Sequence, residues 1–270
     1  MKFWNKKIDI FSFICIVIAL LVTVFIGSAV LAILLGGSSH FGEAILSEEV
    51  QFAFRMSFLT SGISTILVML LALPCAYALT RTKMPFQRFS SILIELVLSL
   101  PYIILGLSLL IMFSSPFGKW LKMHGIAVVF SPLGIVMAHL MVNLPYAVRL
   151  IRTAFEKSDR RLEYIAQTLG ASAWDSFRTI LLPLSRNEIV STAILTWSRA
   201  MGEFGATLML VGVTRFKTET LTGSIYLSIS TGENDVAMAT AIIMILISAV
   251  TLIVARVLER DAGGRKADSR

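Results

Sequence analysis

Leu162–Pro183, LEYIAQTLGASAWDSFRTILLP, is a polar, helix-patterned insert between two strongly apolar segments, and the rest of the chain is arranged around it. Leu162, Ile165, Ala166 and Leu169 recur at helical spacing, so they share one face of a short helix. Gly170 follows where a left-handed C-terminal cap would end that helix. Ser172 is placed to cap a second short helix with Asp175 in its positive first turn, an apolar face of Trp174, Phe177 and Leu181, and Pro183 as its stop. The stretch reads as helix, tight turn, helix.

The surrounding composition is that of a membrane protein. Of 270 residues 56% are hydrophobic and 15% charged, and the mean hydropathy is +0.81, far above an ordinary soluble domain. Apolar runs occupy roughly residues 8–35, 57–79, 92–113, 132–151, 190–212 and 236–257, each near the length a tilted membrane helix needs. The first is too long for a signal-peptide core and lacks a persuasive small-residue cleavage site, so it reads as an uncleaved span. The fold class expected is therefore all-α and polytopic, with six transmembrane helices.

Counting Lys and Arg sets the orientation. The N-terminus (Lys2, Lys6, Lys7), the loop after the second run (Arg81, Lys83, Arg88), the region around the insert and the tail together hold eighteen, against five in the opposite loops. Both termini and the insert are expected inside. The net charge of +7 follows this topology rather than forming one patch, so no nucleic-acid partner is implied. Membrane lipid is the expected surround.

Nothing in the chain resembles a catalytic centre. There is no Gly-rich phosphate loop, no nucleophile elbow and no metal-ligand spacing, and Cys15 and Cys75 lie within apolar runs as packing residues. Pro74, Pro101 and Pro145 fall inside spans, where they kink helices either for packing or to shape a pathway. Glu95 is placed to snorkel or to pair with Arg88, and Asn143 to bond between helices. Phe117–Met123 and Thr214–Thr222 read as interfacial anchors or as docking surface, and the tail beyond Leu258 as a disordered end.

In the fifth run, Arg199 and Glu203 are spaced four apart, where a continuous helix would pair them on one face. Charge at that depth must face the bundle interior or water, so this face is expected to line the central interface as a structural pair or a polar pathway lining. Gly202, Gly205 and Ala206 are small and permit close helix approach, and Gly202, Gly205 and Thr207 are expected beside the charges in the pathway or its gate.

The insert resembles the "EAA" loop of ATP-binding-cassette importer permeases, whose pattern is Glu-Ala-Ala, three residues, Gly, nine residues, Ile, any residue, Leu-Pro. Ala166, Gly170, Ile180, Leu182 and Pro183 sit at that spacing. The pattern's Glu falls on Tyr164 and its first Ala on Ile165, leaving Glu163, one place early, as the candidate substitute. Arg199–Met209, RAMGEFGATLM, is similar to a segment of the molybdate, tungstate and sulfate permeases. The resemblance implies a cytoplasmic coupling loop over 152–189. There Leu162, Glu163, Ile165, Ala166, Leu169, Gly170, Ile180, Leu182 and Pro183 would meet an ATP-binding subunit, with Gly170 letting the two short helices approach. It further implies a second permease copy, two ATP-binding cassette subunits that hold ATP and Mg, and an external oxyanion-binding protein, with no cofactor on this chain and a prokaryotic cell membrane as its location. A secondary transporter or channel driven by an ion gradient would need inverted repeats and buried coupling carboxylates, and the sequence displays neither.

Overall fold

The computed structural model describes residues 9–267, with side chains to residue 257. Lys2, Lys6, Lys7 and Arg270, which entered the charge count, lie outside the described residues, as do the side chains of Arg260, Arg265 and Lys266.

Every regular element among the described residues is helical. α1 (Ile10–Gly37) starts at Asp9, whose carboxylate accepts from the Ile10 N–H. The short α2 (Phe41–Leu46) leads into α3 (Glu48–Arg81), capped by Ser47. Then come α4 (Gln87–Ser99), α5 (Tyr102–Ser114), α6 (Pro116–Met123) and α7 (Pro132–Lys157). The insert holds α8 (Arg160–Thr168), α9 (Ala173–Ser176), a π-turn over Phe177–Leu181 and the single turn α10 (Leu182–Leu184). α11 (Arg186–Met201), α12 (Gly205–Val211), α13 (Leu221–Thr231) and α14 (Asn234–Ala267) complete the chain.

Four helices, α1, α3, α7 and α14, are each long and apolar enough to cross a membrane, and α4 with α5 makes a fifth span if the bent pair is counted as one. Two expected spans are not continuous. The run 92–113 breaks at Leu100–Pro101, where the axes of α4 and α5 turn by 114°. Pro101 cannot donate to an upstream carbonyl and restrains Leu100 to extended backbone, so it breaks the helix, whereas Pro74 and Pro145 are absorbed within α3 and α7. The run 190–212 divides into α11 and α12 around Gly202–Phe204, because Gly202 and Gly205 weaken the helix on both sides of Glu203.

Other boundaries move too. α7 extends to Lys157 and α11 begins at Arg186, so the insert proper is 158–185 rather than 152–189. α13 was not expected at all, since its polar, Ser- and Thr-rich sequence gives little periodic signal. The tail expected as disordered continues α14 to Ala267. Cys75 is half-buried as a packing residue would be, but Cys15 lies exposed on α1. Glu95 is exposed on α4, and no ion pair joins it to Arg88 among the described residues.

Among the described residues three apolar clusters build the bundle, of which two position the sites, the third lying around Val50, Ala53, Met201 and Leu221. One joins α5, α7 and α12 through Leu105, Leu109, Ile135, Val142, Ala206 and Leu210. Close approach here depends on Gly106, because a Cβ at that position would stand 2.5 Å from the Ala206 carbonyl oxygen. The second cluster joins α3 and α7 through Val68, Ala72, Ala76, Val148, Ile151 and Phe155, and it includes Leu181 of the insert. That inclusion fixes the insert to the ends of α3 and α7.

Candidate functional site

The insert has an inner and an outer face. Its first helix ends as expected, in a Schellman arrangement: the Gly170 N–H donates to the Gln167 carbonyl, the Ala171 N–H to the Ala166 carbonyl, and Gly170 has φ +97°. Open space surrounds the position where a Gly170 Cβ would stand, so this glycine supplies a left-handed turn and not the close helix contact expected of it. Ser172 and Asp175 form a reciprocal capping box, and the Ser172 bonds hold the Asp175 carboxyl below its usual range. Pro183 does not stop the second helix, which runs on to Leu184. Lacking an N–H for the Thr179 carbonyl, Pro183 is accommodated by the wider π-turn just before it.

Inward, Leu181 is fully buried and Phe177 stacks edge-on against Tyr77 and Phe155, with ring centroids 5.2 and 6.3 Å apart. Glu163 is the second anchor. Its Oε1 accepts from Arg81 Nε at 2.8 Å, with both side chains no more than 7% exposed. Arg81 Nη2 also donates to the Phe155 carbonyl at 2.8 Å, and Arg160 donates to the Thr80 carbonyl at 2.5 Å. Thus α8 is tied by charge to the last turn of α3 and to the end of α7. Glu163 does provide a carboxylate despite its shifted register, but it faces the bundle rather than the outer face. Arg81 was read only as a topology charge. Its role emerges from a contact across 82 residues.

Outward, Leu162, Ile165 and Leu169 are 45%, 56% and 83% exposed, so the apolar stripe is not covered by the bundle's own ends. With Ala166, Ile180 and Pro183 it walls an open groove of about 610 Å³. Leu182 is half-buried beside the groove, and Trp174, expected with Phe177 and Leu181, is 65% exposed instead. The element is thus anchored on one side, through Glu163 and Leu181, and apolar and uncovered on the other.

The second locus lies where the two broken apolar runs meet. A Cβ on Gly205 would stand 3.3 Å from Tyr102 Cβ, so the start of α12 packs on the start of α5. Gly202, in contrast, is exposed and contacts no neighbouring helix. Arg199 and Glu203 do not pair. The Glu203 carboxyl turns forward to the restarted helix and accepts from the N–H groups of Ala206 (2.8 Å) and Thr207 (3.0 Å) and from the Thr207 hydroxyl. The i, i+4 geometry that would have joined the two charges requires a continuous helix, and the chain breaks between them. Arg199 instead donates from Nη2 to the Tyr102 hydroxyl at 2.5 Å and from Nε to Asn143 Oδ1 at 3.4 Å, with its guanidinium 4.3 Å from the centre of the Tyr146 ring. Asn143 does bond between helices, as expected.

The loops opposite the insert carry one more feature. Phe117 and Trp120 are half-exposed on α6, as an interfacial segment requires. The 214–222 loop instead folds inward, burying Thr218, Glu219 and Thr220. Burial, and then the neighbouring Glu49 carboxyl, push the Glu219 pKa up from 4.5 to about 7, while Arg215 lies 2.9 Å from Glu49. A carboxyl raised in this way favours the folded state below pH 4.5 and loses that contribution as pH rises through about 7. The purified protein in detergent is therefore expected to melt at a lower temperature at pH 8 than at pH 5.5. Glu219→Gln should flatten that slope and add about 1–2 kcal/mol at pH 8. An unchanged slope in the variant would contradict the assignment.

A helical bundle with four long apolar helices, two apolar runs broken where they pack together and an anchored amphipathic insert is the architecture of a polytopic membrane protein. Over residues 71–263 the chain matches the family described as binding-protein-dependent transport system inner membrane component, and it belongs to that family. It is 30% identical to the sulfate transport system permease protein CysT of Escherichia coli (strain K12), over 80% of this chain and 78% of that one. It is 33% identical to the molybdenum transport system permease protein ModB of Mycobacterium bovis (strain ATCC BAA-935 / AF2122/97), over 79% and 81%. Among solved structures, a chain of a bacterial alginate ABC transporter in complex with its pentasaccharide-bound periplasmic protein superposes with a TM-score of 0.72, covering 92% of this chain and 94% of that one at 16% identity. That last likeness supports the fold alone.

Proposed function

We propose that this chain is the permease subunit of an ATP-driven importer for a tetrahedral oxyanion, molybdate or its near-isostere tungstate, with sulfate as the alternative cargo. The relatives named for sulfate and molybdenum transport support the substrate class. The observation that carries the mechanism is the two-faced insert, whose Glu163–Arg81 bond and Leu181 anchor leave Leu162, Ile165 and Leu169 uncovered. In this reading the groove walled by Ile165, Ala166, Leu169, Ile180 and Pro183 seats against a separate ATP-binding subunit that holds ATP and Mg. Two such subunits closing on nucleotide would pull on the two permease copies through α8, and the anchor would pass the motion to α3 and α7. Gly170 keeps the turn at the tip of the insert. The path runs between the copies past the broken spans, where Arg199, Gly202, Glu203, Gly205 and Thr207 lie, Glu203 and Thr207 serving to hold the break. An external binding protein delivers the anion.

The test is ATP-dependent uptake of radiolabelled molybdate, tungstate and sulfate into vesicles containing the reconstituted complex and its binding protein. Molybdate or tungstate uptake that sulfate competes with only weakly is expected. Absence of uptake for all three anions would refute the substrate reading.

A further inference from the structure

The cluster around Arg199 holds unused donors and lacks a counter-charge. Among the described residues no carboxylate lies within ion-pair distance of Arg199, because Glu203 is committed to the start of α12. A guanidinium carries five N–H groups, and the hydrogen bonds to Tyr102 and Asn143 use only two of them. Asn143 is 1% exposed, its Oδ1 is taken by Arg199, and its Nδ2 has no partner. Buried amide N–H groups without a partner are costly, so one at a polar locus marks a missing acceptor.

The position excludes a surface role. Asn143 lies about 16 Å from the start of α7 and about 21 Å from its end at 1.5 Å per residue, which places the cluster near mid-membrane. Tyr102 is nonetheless 39% exposed and Gly202 is exposed. A cation only partly buried at this depth faces water or protein rather than lipid. Two discontinuous helices converge there, the arrangement that exposes polar groups for a solute at the midplane.

We propose that Arg199, Asn143 and Tyr102, with Tyr146 backing the guanidinium, form a transit site for a fully deprotonated tetrahedral dianion. This rests on the importer reading above. The free N–H groups of Arg199 and Asn143 Nδ2 bind the anion's oxygens, and the Tyr102 hydroxyl can turn to donate a third bond. The Asn143 carbonyl oxygen is occupied by Arg199, so the site offers little to accept a proton from the ligand. Hydrogen phosphate, which must donate one, is disfavoured relative to sulfate or molybdate. The aromatic face and the existing bonds hold the guanidinium partly satisfied, which keeps binding weak enough for release.

The test uses the complete transporter in vesicles, with uptake, ATP hydrolysis and melting temperature measured on the same preparations. Asn143→Asp puts a carboxylate beside Arg199 and so supplies the counter-charge internally. The complex is expected to melt at or above the wild-type temperature and to keep hydrolysing ATP when the loaded binding protein is added, while uptake per complex of molybdate, tungstate or sulfate, whichever the wild type carries, falls about tenfold or more. Tyr102→Phe, which retains the ring and packing, should lower uptake severalfold without loss of stability. Uptake within twofold of wild type in a stable Asn143→Asp complex overturns the proposal. If that variant does not assemble, Tyr102→Phe decides, and wild-type uptake there overturns it as well. Dissociation of the two permease copies in step with lost uptake would assign Arg199 to their interface and equally overturn it. A wild-type complex that takes up none of the three anions sinks the importer reading instead.

Discussion

Glu163→Ala is expected to produce the largest loss of stability of any single substitution in the insert. It leaves the Arg81 guanidinium buried without its counter-charge, and removal of one partner from a buried pair costs about 3–5 kcal/mol. The carbonyls of Phe155 and Ser158 continue to accept from Arg81 Nη2, but they carry no full charge. Because the pair joins α8 to α3, the loss should fall on the insert first. Proteolysis within 158–185 is expected to accelerate before the bundle melts. Replacing both partners by leucine removes the unpaired charge, so Arg81→Leu with Glu163→Leu should recover most of the stability. Thermal unfolding of the three variants, with limited proteolysis of each, checks this. A Glu163→Ala variant within 1 kcal/mol of wild type, estimated against that 3–5 kcal/mol range, would show that the ion pair does not anchor the insert.

The second large effect concerns the outer face. Ile165→Asp with Leu169→Asp puts two carboxylates where the proposed contact must be dry. Both side chains are more than half exposed in the isolated chain, so the substitution should leave the fold and its melting temperature nearly unchanged. A charge buried without a partner at the centre of an interface is costly, and affinity for the ATP-binding subunit should fall by about two orders of magnitude or more. Transport should be lost with it. Affinity and melting temperature measured on one preparation separate lost docking from misfolding.

The insert was legible because its signals are local. Helical spacing of Leu162, Ile165 and Leu169, a glycine at the turn and the Ser172–Asp175 cap each depend on neighbours within four residues, and the structure forms all of them. The apolar lengths of the four long helices were equally plain. What escaped the sequence depends on distant partners or on competition between local rules. Arg81 meets Glu163 across 82 residues, and Arg199 meets Tyr102 across 97, and no periodicity encodes either. The expected Arg199–Glu203 pair assumed an unbroken helix, but two flanking glycines and a carboxyl able to cap the next turn favour the break. Pro101 was read as a kink and is a break, whereas Pro74 and Pro145 sit quietly inside long helices.

The outer face of the insert, seated on an ATP-binding subunit, is the central claim, and composition of the intact complex tests it most directly. The tagged chain would be extracted from its own membranes in mild detergent and its assemblies weighed by native mass spectrometry, alongside the Ile165→Asp, Leu169→Asp variant. The account predicts two copies of this chain with two ATP-binding subunits for the wild type, and permease dimers stripped of those subunits for the variant. A wild-type chain that transports its anion without any ATP-binding subunit, or a variant that retains both subunits at full occupancy, would contradict it.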